Sequence, residues 1–158
     1  MLKEPLFEHL QSWDRMPGGN DNDAKVLNVG IPPYNKLIEG EVLSLLPKHR
    51  EDFDLVHSWH LIEHLPDPFS VELPAMLELL RPGGALLAHV PCGGVDEDNP
   101  DHLWIFTPEA LIHTWKRLGL KEIQLVIDEY EHGPGRFNMV ATIIGVKLEN
   151  PRNVPWPL

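Results

Sequence analysis

Apolar residues recur along the chain with two periods, and each change of period marks an element. Leu2, Leu6, Leu10 and Trp13, with Phe7 beside them, lie at helical spacing and predict a short amphipathic helix. Met16 to Asp23 is a polar, glycine-containing loop. Val26-Leu27-Asn28-Val29-Gly30 is a compact apolar run ending in glycine, a buried strand. Ile31-Pro32-Pro33-Tyr34-Asn35 is a turn, because consecutive prolines cannot extend a central strand. Asn35 caps a helix with Ile38, Val42, Leu45 and Leu46 on one face, stopped by Pro47.

Phe53 to His57 is the second strand, and Trp59 to Leu65 a short helix or helical turn. Ser70 to Leu80 is a helix with Ser70 as its N-cap, which places Pro74 among the amides that lack intrahelical partners. Arg81-Pro82-Gly83-Gly84 is a sharp stop and turn, and Ala85 to Val90 a near-continuous apolar strand covered on both faces. Thr107-Pro108-Glu109 opens a helix with a capping hydroxyl, a proline at the first position and an acid in the first turn. That helix carries Leu111, Trp115 and Leu118 and ends at Gly119. Glu122 to Ile127 and Asn138 to Val146 are the last strands, an antiparallel pair across Gly133-Pro134-Gly135.

Strands joined through helices predict a mostly parallel sheet with helices on both faces: an α/β, Rossmann-like sandwich of about five strands ending in an antiparallel pair. We read residues 1–158 as one domain, with an N-terminal helix and loop over 1–23, the core over 24–148 and a proline-rich tail over 149–158. In such folds ligands sit beyond the carboxyl ends of the strands, which here lie at Gly30, near Ser58 and at Pro91.

Composition narrows the partners. Lys and Arg number 13 against 24 Asp and Glu, a formal charge of −11 that repels phosphate backbones and anionic membranes. Neither a nucleic acid nor a membrane is therefore expected as partner. The single cysteine, Cys92, excludes an internal disulfide and a thiolate zinc cluster. No segment has the pattern of a signal peptide or membrane helix, so the expectation is a soluble, cytoplasmic protein.

Three segments together resemble the class I S-adenosylmethionine-dependent methyltransferases. They are Val26 to Gly30, Phe53-Asp54-Leu55-Val56 running into Glu63-His64-Leu65, and Leu79-Leu80-Arg81-Pro82-Gly83-Gly84 with the strand after it. Asp101 to Thr107 and the helix to Gly119 are similar to a later segment of some members. The resemblance covers most of residues 25–147. It implies S-adenosylmethionine as cofactor and methyl transfer to a small-molecule acceptor. It places Asn28, Gly30, Ile31, Ser58, Trp59 and His60 at the cofactor, with His64 or His102 as general base, since imidazole titrates near neutrality.

Two departures shape the alternatives. The family's first strand ends in a loop with several glycines, whereas here Gly30 leads into Ile31-Pro32-Pro33, which removes amide donors. The family's acid that holds the cofactor ribose has no counterpart, because only one helix fits between Gly30 and Phe53. About one and a half strand–helix units are missing. Loss of that charge-assisted contact weakens cofactor binding, and the alternative function is a noncatalytic binding or assembly module on a truncated fold. The deletion also leaves the first strand near a sheet edge, which a second copy can cover as a homodimer.

His60-Leu61-Ile62-Glu63-His64 also matches a zinc-hydrolase pattern with two helical histidines at i and i+4 and Glu63 as base. That enzyme needs a long helix and a third ligand. Pro66 closes the helix here and no third ligand is evident in the sequence, so no metal is assigned. Cys92 is read as a small loop residue, because the acids Asp96, Glu97 and Asp98 oppose a thiolate.

Overall fold

The computed structural model describes residues 26–30, 42–93, 101–131 and 137–148. The predicted N-terminal helix, the Ile31 to Asn35 turn, the glycine hairpin loop and the proline-rich tail lie outside these residues. Among the described residues five strands form one sheet: β1 (Val26–Gly30), β2 (Phe53–Trp59), β3 (Leu80–Pro91), β4 (Lys121–Glu131) and β5 (Phe137–Val146). Their order is β1-β2-β3-β5-β4. β1, β2 and β3 run parallel, while β5 is antiparallel to both its neighbours. This is the expected α/β architecture, with β1 as an outer strand.

The helices cross between strands. α1 (Val42–His49) links β1 to β2, α2 (Leu73–Leu79) links β2 to β3, and α3 (Pro108–Arg117) precedes β4. Leu45 of α1, Leu73, Met76 and Leu79 of α2, and Leu111 and Trp115 of α3 share one apolar cluster with Val56, Leu86 and Ile143. Alternation along the strands puts Leu55, Leu87 and Ile144 on the opposite face, where they form a second, smaller cluster. Gly145 lies under α3, where a Cβ would come within 2.8 Å of Trp115 Cδ1 and 2.9 Å of Leu120 Cβ. Its absence of a side chain lets the helix settle on the sheet.

Several boundaries differ from the sequence reading, each for a local reason. α1 runs through Pro47 to His49. Proline there removes one ladder bond, while His49 Nδ1 is tied to Asp52 at 2.8 Å and buried Leu45 anchors the helix. The helix predicted from Ser70 starts earlier. Asp67 is the cap, accepting from the Ser70 amide at 3.2 Å. A wide π turn over Pro68–Glu72 precedes α2. Pro74, near the start of α2, has no amide with which to continue a regular ladder.

Arg81 to Gly84 does not end an element but bulges within β3. Phe53 pairs with Leu80 and Leu55 with Ala85, so the β3 residues between are looped out. Gly83 takes φ +82° in that bulge. Lys147 tethers it: the Gly83 amide donates to the Lys147 carbonyl, and the Lys147 amide to Gly84 O. The start of α3 matches the prediction in detail. Thr107 Oγ1 accepts from the Ala110 amide, Pro108 follows, and Gly119 closes the helix at φ +79°.

Candidate functional site

β1 and β2 end together, with Gly30 opposite Trp59. The chain leaves β2 through His60, whose φ of +44° is uncommon for a residue with a side chain. The His60 amide donates to the His89 carbonyl on β3 at 2.9 Å, which holds this turn against the next strand. A short 3₁₀ turn, Ile62–His64, follows, and Pro66 and Asp67 lead away from it.

Because strand side chains alternate, the predicted cofactor residues of β2 divide between the two faces. Ser58 points into the helix-covered side between Val56 and the core, fully buried, and its Oγ has no hydrogen-bond partner among the described residues. Trp59 lies on the opposite face with His57 and His89, its ring centroid 4.5 Å from His89. His89 and His57 are 5.0 Å apart, and Trp59 and His60 are 5.3 Å apart. Backbone pairing places Asn28 and Gly30 beside His57 and Trp59. Ile31 lies outside the described residues.

His89 is absent from the sequence-derived site, yet it sits at its centre. Its Nδ1 lies 2.9 Å from Thr142 Oγ1 on β5. Burial, with His57 and His60 adding repulsion, pushes its pKa down to about 3. It is therefore a neutral ring at neutral pH. One polar residue within the apolar run Ala85 to Val90 was the signal available in the sequence.

A second group forms where residues 101–106 dock on the 3₁₀ turn. The carbonyl of Glu63 accepts from the amides of Leu103 (2.8 Å) and Trp104 (3.3 Å). Trp104 Nε1 donates to Leu65 O at 2.7 Å, and Phe69 packs edge-on to Trp104. This docking brings His102 to His64, ring centroids 4.7 Å apart. His64 Nδ1 lies 3.0 Å from the Asp101 carbonyl. A carbonyl only accepts, so this nitrogen carries the proton and Nε2 of the neutral ring keeps its lone pair.

Glu63 is the least expected member. Its side chain is 0% exposed, and neither carboxylate oxygen accepts a hydrogen bond among the described residues. Oε1 has His60 Nδ1 at 3.3 Å and His64 Nε2 at 3.9 Å. The zinc-hydrolase pattern is not realised as predicted. His60 stands outside the turn with positive φ, so His60 and His64 do not share an α-helical face. The third donor beside Glu63 and His64 is instead His102, from a distant segment.

Cys92 bridges to Phe106 at the end of β3 and is buried. Burial, and then the nearby Glu109 charge, raises its pKa, consistent with an inert packing role.

The family model described as Methyltransferase domain matches residues 7–125 of this chain. No protein of curated function matches it. Solved structures similar to it include a SAM-dependent methyltransferase from Archaeoglobus fulgidus, 15% identical, with a TM-score of 0.55 over 70% of this chain and 67% of that one. A SAM-dependent methyltransferase from Thermotoga maritima is 17% identical, with a TM-score of 0.56 over 71% of this chain and 64% of its own. Phosphoethanolamine N-methyltransferase 2 from Haemonchus contortus, solved with S-adenosylhomocysteine, is 13% identical, with a TM-score of 0.50 over 63% of this chain. The chain spans 35% of that enzyme's length. These likenesses show the fold. Among the described residues, no helix is long and apolar enough to cross a membrane.

Proposed function

This chain belongs to the methyltransferase domain family, and from that premise we propose that it binds S-adenosylmethionine and passes the methyl group to a small-molecule acceptor. The observation that carries the reading is the paired end of β1 and β2. Gly30 lies opposite Trp59 there, and the strained His60 turn opens beside them. This is the carboxyl edge of a parallel sheet, where such folds bind ligands. In this reading Asn28 and Gly30 approach the cofactor by backbone, Ile31 follows them in the chain, and Trp59 and His60 supply a ring surface. Ser58, buried beneath, supports that turn from the core side.

S-adenosylmethionine brings the leaving group on its sulfonium, so the protein's task is alignment and proton removal. Once bound there, the cofactor would supply its methyl carbon to the acceptor heteroatom, the electron pair of the broken carbon–sulfur bond staying on sulfur. The acceptor's proton passes to His64 Nε2, the lone pair left available by the hydrogen bond from Nδ1 to Asp101 O. His102, stacked edge-on at 4.7 Å, orients His64 and borders the acceptor. A second copy pairing along the outer edge of β1 gives a homodimer in the same proposal.

A second reading has its own observation. β1 is an outer strand, directly beside β2, which leaves no described strand to present a ribose-binding acid. On that reading the protein is a noncatalytic binding or assembly module. Calorimetric titration with S-adenosylmethionine and S-adenosylhomocysteine separates the two. Micromolar binding that Gly30→Val abolishes supports the methyltransferase. No heat up to millimolar ligand overturns it and leaves the module.

A further inference from the structure

We propose that Glu63, His64 and His102 form a binding site for a single zinc-class divalent cation. One donor atom from each residue lies within 4.8 Å of the other two. Proximity is only the first of three observations. The second is the Glu63 carboxylate, fully buried and accepting no hydrogen bond among the described residues, with the imidazole nitrogens His60 Nδ1 at 3.3 Å and His64 Nε2 at 3.9 Å beside Oε1. A carboxylate withdrawn from water in this way is stabilised by a bound cation. The third is the tautomer of His64. Its Nδ1 proton is engaged by the Asp101 carbonyl, which turns the Nε2 lone pair towards Glu63. Imidazole held through its other nitrogen by a carbonyl is the outer-shell arrangement that orients metal-ligating histidines.

The donor set selects the ion. Two imidazoles and one carboxylate suit zinc, whereas magnesium and calcium take oxygen donors. Zinc bonds of roughly 2.0–2.2 Å set tetrahedral donors about 3.3 Å apart, so the three side chains draw together by up to about 1.5 Å on binding. Glu63 is anchored through its own carbonyl by Leu103 and Trp104, which places the closing movement on the two half-buried rings. Three protein ligands leave a coordination position open, as in sites where zinc acts as a Lewis acid. An ion here occupies the His64 lone pair, so zinc binding and proton uptake by His64 exclude each other. The binding claim itself does not rest on methyl transfer.

Zinc alone, titrated calorimetrically into the metal-free full chain, tests the proposal. One ion per chain with micromolar or tighter affinity is expected. His102→Ala and Glu63→Gln each weaken it by at least roughly tenfold, since losing even an outer-shell partner costs that much. His113→Ala, on the exposed surface of α3, leaves it unchanged. Circular dichroism confirms that the variants remain folded, and half-buried His102 serves as the decisive variant where Glu63→Gln does not fold. Absence of zinc binding at micromolar concentrations overturns the proposal, as does affinity that survives His102→Ala. S-adenosylmethionine titration of the same metal-free samples reports on the methyltransferase reading separately.

Discussion

The helix-covered face of the sheet and the carboxyl end of β2 are both buried, but they are built on opposite terms. On the covered face Val56, Leu86, Leu111, Trp115 and Ile143 pack carbon against carbon. The polar atom Trp115 Nε1 there donates to Leu86 O. At the carboxyl end the chain buries Ser58 Oγ and both oxygens of Glu63 without hydrogen bonds among the described residues, forces His60 to positive φ, and crowds five imidazoles around Trp59 and Glu63. A fold driven by stability alone has no reason to keep such groups, since an apolar replacement of similar shape costs less. The contrast supports placing the proposed site in the second region and the folding energy in the first.

Substitutions should therefore have opposite signatures in the two regions. Trp115→Ala in the core is expected to cost about 3–5 kcal/mol of stability, read from urea unfolding. Its effect on any ligand should follow only from unfolding. At the carboxyl end, acidification is the next largest lever. Burial holds the His89 pKa at about 3, against an ordinary value of 6.5, so the unfolded chain binds a proton that the folded chain refuses. Stability contributed by this neutral ring is complete above pH 6.5 and falls as pH drops towards 3, by up to about 1.4 kcal/mol per pH unit. His89→Gln, which keeps a partner for Thr142, should flatten that part of the pH–stability curve.

Glu63→Gln reverses the usual sign. Removing a buried carboxylate that accepts no hydrogen bond among the described residues should leave the metal-free protein as stable or raise its stability by about 1–2 kcal/mol at neutral pH, while its zinc affinity falls. Equal destabilisation in zinc-free buffer would place Glu63 with the structural core. The smallest expected effect is Thr107→Ala, which removes the cap of α3 and should cost about 1 kcal/mol without altering ligand binding.

The division also explains what could be read from sequence. Local signals carried the fold. The Thr107-Pro108 start and Gly119 stop of α3, the apolar run of β3 and the antiparallel pair all appear where their residues predict. Pro47 inside α1 and the π turn before α2 escaped because packing overrode local preference. At the site, His60, His64 and His102 were each identifiable. Their grouping was not, because the loop carrying His102 is fastened by amides of residues 103 and 104 to the carbonyl of Glu63. Such long-range backbone hydrogen bonds have no side-chain signature. Glu63 itself looked like the base of a helical zinc motif, and only its burial reveals a carboxylate without donors. His89 was hidden by reading a continuous apolar strand as covered core.

The most direct measurement is the response of the tryptophan indole resonances to S-adenosylhomocysteine in a two-dimensional ¹H–¹⁵N spectrum. Trp59 stands at the proposed site and Trp115 in the core, so each reports on one region. The account predicts that the Trp59 indole signal shifts saturably with ligand while the Trp115 signal stays in place. An unmoved Trp59 at millimolar ligand, or a Trp115 that shifts as much, would contradict it.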